Sequence, residues 1–144
     1  MKHLTFSQLT TAFLSGCIAY PLLELAYRGH THWTMSLTGG LCLMALFLIQ
    51  WSFPALPFWR KALLGALTIL TLELLVGTFA NLWLGWAIWD YTNLRFHYLG
   101  QISLDFGLLW FGLCSLFFLI AEWICSSTNE RPSPRRKKKE APAI

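Results

Sequence analysis

The sequence predicts an all-α integral membrane protein: four transmembrane helices in a bundle, N and C termini cytoplasmic, and a disordered basic C-terminal tail. Three observations carry that prediction. The 144 residues are 56% hydrophobic and only 12% charged, about half the charged share of a soluble domain. A soluble domain of this size would leave much of that apolar surface in water. This excludes a soluble enzyme, a coiled coil and a disordered chain. Four apolar runs reach the roughly 20 residues needed to cross a bilayer; they cover about residues 9–27, 33–53, 62–84 and 102–124. Four spans put both termini on one side. Nine basic residues then share that side (Lys2, Arg60, Lys61 and six in the tail), against Arg28 and Arg95 on the other. Cytoplasmic segments are the ones enriched in Lys and Arg, so the termini are expected inside, in a multi-pass cell-membrane protein.

Each run has a stop signal. Arg28-Gly29 closes the first, and Pro21 within it marks an expected bend. Leu14-Ser15-Gly16-Cys17 matches a lipoprotein cleavage box. The apolar run nevertheless continues through residues 18–23, where a cleaved lipoprotein would turn polar, so an uncut span is preferred. Pro54 and Pro57 close the second run, Gly85 with Trp86 the third, and Cys125-Ser126-Ser127 the fourth. Trp33, Trp51, Trp59, Trp83, Trp86, Trp89 and Trp123 sit near these ends, as interfacial aromatics do. Cys17, Cys42, Cys114 and Cys125 form no CxxC pair and lie in or beside spans. They predict free thiols, with no disulfide and no zinc site.

The organisation is a transmembrane domain over residues 1–128 and a tail over 129–144. The tail holds six basic and two acidic residues, which accounts for the whole net charge of +4. Pro132, Pro134 and Pro142 break helix there and nothing apolar remains to pack. Such a tail is attracted to anionic headgroups by about 1 kcal/mol per basic residue near the surface. It lacks the aromatic residues that single-stranded nucleic-acid binding uses, so membrane lipids are the expected contact and nucleic acid is not.

Charged side chains in hydrocarbon are costly and usually face a bundle interior or water. Glu24, Glu73, Asp105 and Glu122 all lie in or at the ends of spans. Glu73 stands mid-span, and Gly77 and Asn81 follow at i+4 and i+8, with Ala62 and Ala66 extending the same face. A stripe of this kind packs against a neighbouring helix. Glu73 is then either an interhelical hydrogen-bonding group or a titrating carboxylate that lines a proton or substrate path. Glu24 and Arg28 form an i, i+4 pair, an interfacial ion pair or an anchor for a charged headgroup or substrate. Asp105, Gly112, Ser115 and Glu122 lie at helical spacing. Asp105 is expected to pair with Arg95 or Arg28, and Glu122 to snorkel to the inner interface.

Two outer loops follow from this layout. The first carries His30 and His32, which point the same way in extended chain; two imidazoles are too few for a structural zinc site, so hydrogen bonding is expected. The second runs over residues 86–100 and holds five aromatics, among them Trp89 and Tyr91, with Asp90, Arg95 and His97. A loop this aromatic is expected to fold back onto the bundle. Asp90 before Thr92 and Asn93 reads as a turn or cap, or as a substrate contact.

Two blocks of sequence are similar to a known family. One is Leu23-Glu24-Leu25-Ala26-Tyr27-Arg28-Gly29-His30-Thr31-His32-Trp33-Thr34-Met35, followed by Thr38-Gly39-Gly40. The other is Leu72-Glu73, Gly77, Asn81, Leu84-Gly85-Trp86, Trp89-Asp90-Tyr91-Thr92 and Leu99-Gly100-Gln101-Ile102. They resemble the bacterial membrane-protein family labelled "putative ABC-transporter type IV", CmpB-like permeases, over about residues 10–124. Arg95, His97, Asp105 and Gly107 depart from that pattern. The resemblance implies a permease-like component of the bacterial inner membrane and carries over to Glu24, Arg28, His30, His32, Glu73, Asn81, Trp89, Asp90, Tyr91 and Gly100.

Three functions compete. A transport component would use the buried acids. Four short spans make a small pathway, so it would need a second copy of the chain or a separate ATPase subunit. The chain has no P-loop, HExxH or GxSxG motif, so it would not hydrolyse ATP alone by the P-loop route. A structural or regulatory membrane subunit would use the same residues for helix packing. A membrane enzyme on lipid-linked substrates would use carboxylates with Arg and His near the outer interface, yet no nucleophile is fixed. The expectation is a non-enzyme without a cofactor, with Glu24, Arg28, His30, His32, Glu73, Asn81, Trp89, Asp90, Tyr91 and Asp105 as substrate-binding or pathway residues.

Overall fold

The computed structural model describes residues 4–127. Four long helices dominate it: α1 (Phe6–Arg28), α2 (Trp33–Ser52), α3 (Phe58–Gly77) and α4 (Leu104–Ser127). All four are long and apolar enough to span a membrane, which makes this a multi-pass membrane protein. The tail expected over 129–144 lies outside the described residues.

Local chemistry sets the helix starts. Thr5 and Gln8 form a reciprocal capping box at the start of α1. α1 continues through Pro21 as one helix. His32 caps α2, its Nδ1 accepting from the Thr34 amide at 3.4 Å. Its neighbour His30 turns back to the Arg28 carbonyl at 3.1 Å. The loop histidines are therefore hydrogen-bonding groups. Pro57 precedes α3 and needs no partner for an amide it lacks. α3 does not stop at Gly77 but loosens into a π-helical turn over Thr78–Trp83. Such turns widen a helix by one residue and are frequent at functional sites.

The 20-residue connection to α4 folds onto the bundle, as its aromatic content predicts. Ile88, Trp89, Gln101 and Ser103 are buried. It closes with a two-stranded antiparallel hairpin, β1 (His97–Tyr98) and β2 (Ile102–Ser103), absent from the sequence reading. Leu99 and Gly100 turn it with φ of 54° and 68°, the signature of a type I′ turn. Glycine suits the second position; leucine at the first is strained.

The helices run up and down in sequence order. α1 packs chiefly on α2, α3 on α4, and α2 on α3. Small residues make the first of these contacts close. Gly16 and Gly39 meet backbone to backbone, and a carbon added at Gly40 would stand 2.6 Å from Cys17 Sγ. One apolar core joins Cys42, Leu46, Ile49, Ala62, Ile69, Cys114 and Phe118. A second joins Tyr20, Met35, Ala80, Ile88 and Trp89. The four cysteines are free. Outward-facing leucines such as Leu75 and Leu108, each 63% exposed, are the surface that lipid covers.

The charges at the bundle end opposite the loop depart from expectation. Lys61 is fully buried, and its Nζ donates to Gln50 and Glu122, both at 3.0 Å. Glu122 does not snorkel alone, because a lysine reaches it from α3. The helical register explains this: Ala62, Gly65 and Ala66 are small, so α4 approaches closely enough for the pair to form. Asp105 also differs. It is exposed in the first turn of α4 and pairs with neither Arg28 nor Arg95. Arg28 is held by Glu24 instead.

Candidate functional site

The small-and-polar stripe of α3 is present as the spacing predicts: Ala62, Ala66, Glu73 and Gly77 are all buried. Glu73 is 1% exposed. Its Oε1 accepts two hydrogen bonds, from the Tyr20 hydroxyl of α1 at 2.8 Å and from the Trp110 indole N–H of α4 at 3.0 Å. Its Oε2 is buried with no partner. Such an atom costs roughly 1–3 kcal/mol, so it is either stored strain or an acceptor held for something not of this chain.

Tyr20 and Trp110 stack on one another with ring centroids 5.4 Å apart. They form part of the wall of a cleft of about 360 Å³ between α1 and α4 at the loop end of the bundle. The cleft exists because α1 and α4 each pack on an inner helix and not extensively on each other. Its mouth carries the Glu24–Arg28 ion pair. Thr31 Oγ1 donates to the second oxygen of Glu24 at 2.6 Å, and Arg28 donates to the Ile88 carbonyl at 3.5 Å. The C-terminal end of α1 is thereby fastened to the folded-back loop. Tyr91 completes the rim, stacked on Phe106 at 4.5 Å. Burial, and then the nearby Glu73, push the Tyr91 hydroxyl above its usual range.

The sequence-predicted residues divide into three groups. Glu24, Arg28 and Tyr91 line the cleft, and Glu73 is bonded to two of its rings, Tyr20 and Trp110. Asn81 and Trp89 belong to a separate network that locks the loop to the π-turn. The Asn81 amide donates to the Trp89 carbonyl at 3.0 Å and to Gln101 Oε1 at 2.8 Å, and its own oxygen accepts from the Ile88 amide at 2.7 Å. Trp89 donates to the Gln101 carbonyl at 2.9 Å. His30, His32, Asp90 and Asp105 stand outside both. Asp90 is an exposed turn former: its two oxygens accept from the Thr92 amide at 2.8 Å and the Thr92 hydroxyl at 2.9 Å. Those bonds hold its carboxyl below the ordinary carboxylate range, the backbone bond contributing most. No group of three or more His, Cys, Asp and Glu able to hold a metal lies among the described residues.

Sequence reasoning missed Tyr20, Trp110, Tyr27 and Phe106, which supply the cleft with rings, and Gln101, which centres the loop network. One signal was available. Seven of the eight tryptophans sit at span ends, and Trp110 alone sits mid-span, where an indole N–H needs a buried acceptor.

A family model described as putative ABC-transporter type IV matches residues 36–138. That stretch includes Glu73, Trp110 and the whole loop; α1, with Tyr20, Glu24 and Arg28, precedes it. Neither a curated protein nor a solved structure matches the chain.

Proposed function

This chain belongs to the putative ABC-transporter type IV family, and we propose that it is a permease-like transport component whose pathway runs through the α1–α4 cleft to Glu73. The observation that carries this reading is the incomplete hydrogen bonding of Glu73. A buried carboxyl used only for packing is expected to have both oxygens bonded. Glu73 keeps one oxygen unmet behind the two rings of a cleft wall. The Glu24–Arg28 pair at the mouth would meet a charged solute first. In this reading the chain lies in the bacterial cytoplasmic membrane with both termini inside. It is not an enzyme, and it works with a second copy of itself or with a separate ATPase subunit.

The test compares cells lacking the chain with cells restored by wild type or by Glu73→Gln. Uptake and efflux are followed for a panel of labelled ionic and amphiphilic solutes. Glutamine keeps an acceptor for Tyr20 and Trp110, so the variant is expected to insert and fold. Loss of any chain-dependent flux to the level of the deleted strain is the expected result; wild-type flux in the variant sinks the reading.

A second reading, a structural or regulatory subunit, is favoured by the Asn81–Trp89–Gln101 network, which rigidifies the loop without opening a cavity. It predicts that neutral substitutions at Glu73 alter assembly alone. A lipid-linked enzyme draws less support, because both oxygens of Asp90 are already engaged by Thr92.

A further inference from the structure

The wall of the cleft next to Glu73 is made mostly of rings and aliphatic side chains. Five rings line it: Tyr20, Tyr27, Tyr91, Phe106 and Trp110. They form two connected groups. Tyr20 stacks on Trp110, while Phe106 stacks on Tyr91 and meets Tyr27 edge-on at 5.9 Å. The rest of the wall is largely aliphatic. Ring faces carry negative potential and attract cations, most strongly where water is excluded. The formal charges lean the same way. Arg28 is the one cation in the lining, and it is engaged by Glu24 and the Ile88 carbonyl. Glu73, bonded to two of the five rings, forms no ion pair among the described residues, feels Glu24 and Arg28 only through space, and keeps Oε2 unmatched.

We propose that the cleft binds an organic cation with an apolar body, an alkyl- or aryl-substituted ammonium or phosphonium, with the rings as its cage and Glu73 as its buried counter-charge. This names the substrate class of the transport site proposed above and rests on that reading. A hydrated metal cation is disfavoured, since it wants several oxygen ligands and the lining is mostly carbon. An organic anion would face the ring quadrupoles and the unmatched carboxyl.

Two ions of nearly one size and shape separate charge from hydrophobicity: tetraphenylphosphonium and tetraphenylborate. Each is equilibrated by dialysis against the full chain in phosphatidylcholine nanodiscs, with empty nanodiscs as the blank. Saturable binding of the phosphonium, about one per chain, is expected, with none for the borate. Glu73→Gln is expected to weaken phosphonium binding at least tenfold. Equal saturable binding of both ions overturns the proposal without needing any variant to fold. So does wild-type phosphonium affinity in Glu73→Gln, or the absence of saturable phosphonium binding. Borate-selective binding combined with flux lost in Glu73→Gln would leave the transport reading standing and overturn the cation assignment alone.

Discussion

Replacing Gly39 by leucine is expected to lever α1 away from α2 and to cost about 3 kcal/mol or more, the upper range for overpacking a site that cannot relax. A carbon at Gly39 would fall on Tyr20 Cβ and stand 2.6 Å from the Gly16 carbonyl oxygen. One obstacle is backbone and the other is the base of a side chain, so no flexible tip can give way. Tyr20 also donates to Glu73 and stacks on Trp110, so the substitution should disorder the cleft as well as the helix pair. Gly112→Ala is the control: its added carbon meets nothing within 4 Å, and a change within about 1 kcal/mol is expected, in the stabilising direction. Unfolding midpoints in mixed detergent, followed by circular dichroism, give both values. A Gly39→Leu midpoint equal to that of wild type would mean that the helices do not touch at this point.

The second large effect lies at the other end of the bundle, where two substitutions of one ion pair should differ. Lys61 is buried to 1% of its side chain, while Glu122 keeps 40% of its own exposed. Glu122→Leu strands a buried ammonium with Gln50 as its remaining partner. Breaking a buried pair from that side costs about 3 kcal/mol. Lys61→Met fills the same space with an apolar chain and leaves a carboxylate that already reaches water, so about 1 kcal/mol or less is expected. The same unfolding assay ranks them. Equal losses would show that Lys61 is solvated in the membrane-embedded protein.

Much of the fold was legible because hydrocarbon allows few solutions. A run of about 20 apolar residues must become a helix there, and α1, α2 and α4 begin and end within a few residues of their apolar runs. α3 begins four residues early, at Phe58, directly after Pro57, whose extended backbone stands at the N-cap. The face joining Ala62, Ala66, Glu73 and Gly77 was legible from period alone. Side-chain partnerships across helices were not. Helical spacing says which residues share a face and is silent on which helix that face meets. Asp105 was therefore assigned to Arg95 or Arg28, of which Glu24 already holds Arg28, and the lysine that reaches Glu122 was counted only among the basic residues of the cytoplasmic side. The spacing put Asn81 on the Glu73 face of the third span, and Trp89 and Asp90 in the second outer loop, a polar and aromatic group. The structure resolves them into a loop lock and a turn, since each of those groups bonds locally. The cleft belongs to two helices about 80 residues apart in sequence, and no local pattern announces it.

The most direct measurement asks whether Glu73 can be reached through the cleft. Dicyclohexylcarbodiimide is an apolar reagent that modifies carboxyl groups in apolar surroundings. The protein in nanodiscs is treated with it, and the adducts are located by peptide mass spectrometry, for wild type and for Leu109→Trp, which places a large ring in the cleft wall. Labelling of Glu73 in wild type, slowed severalfold or more by Leu109→Trp while labelling of Glu122 is unchanged, is the expected result. A Glu73 that stays unlabelled, or that is labelled at the same rate with the cleft filled, would make it a packing residue and contradict the pathway.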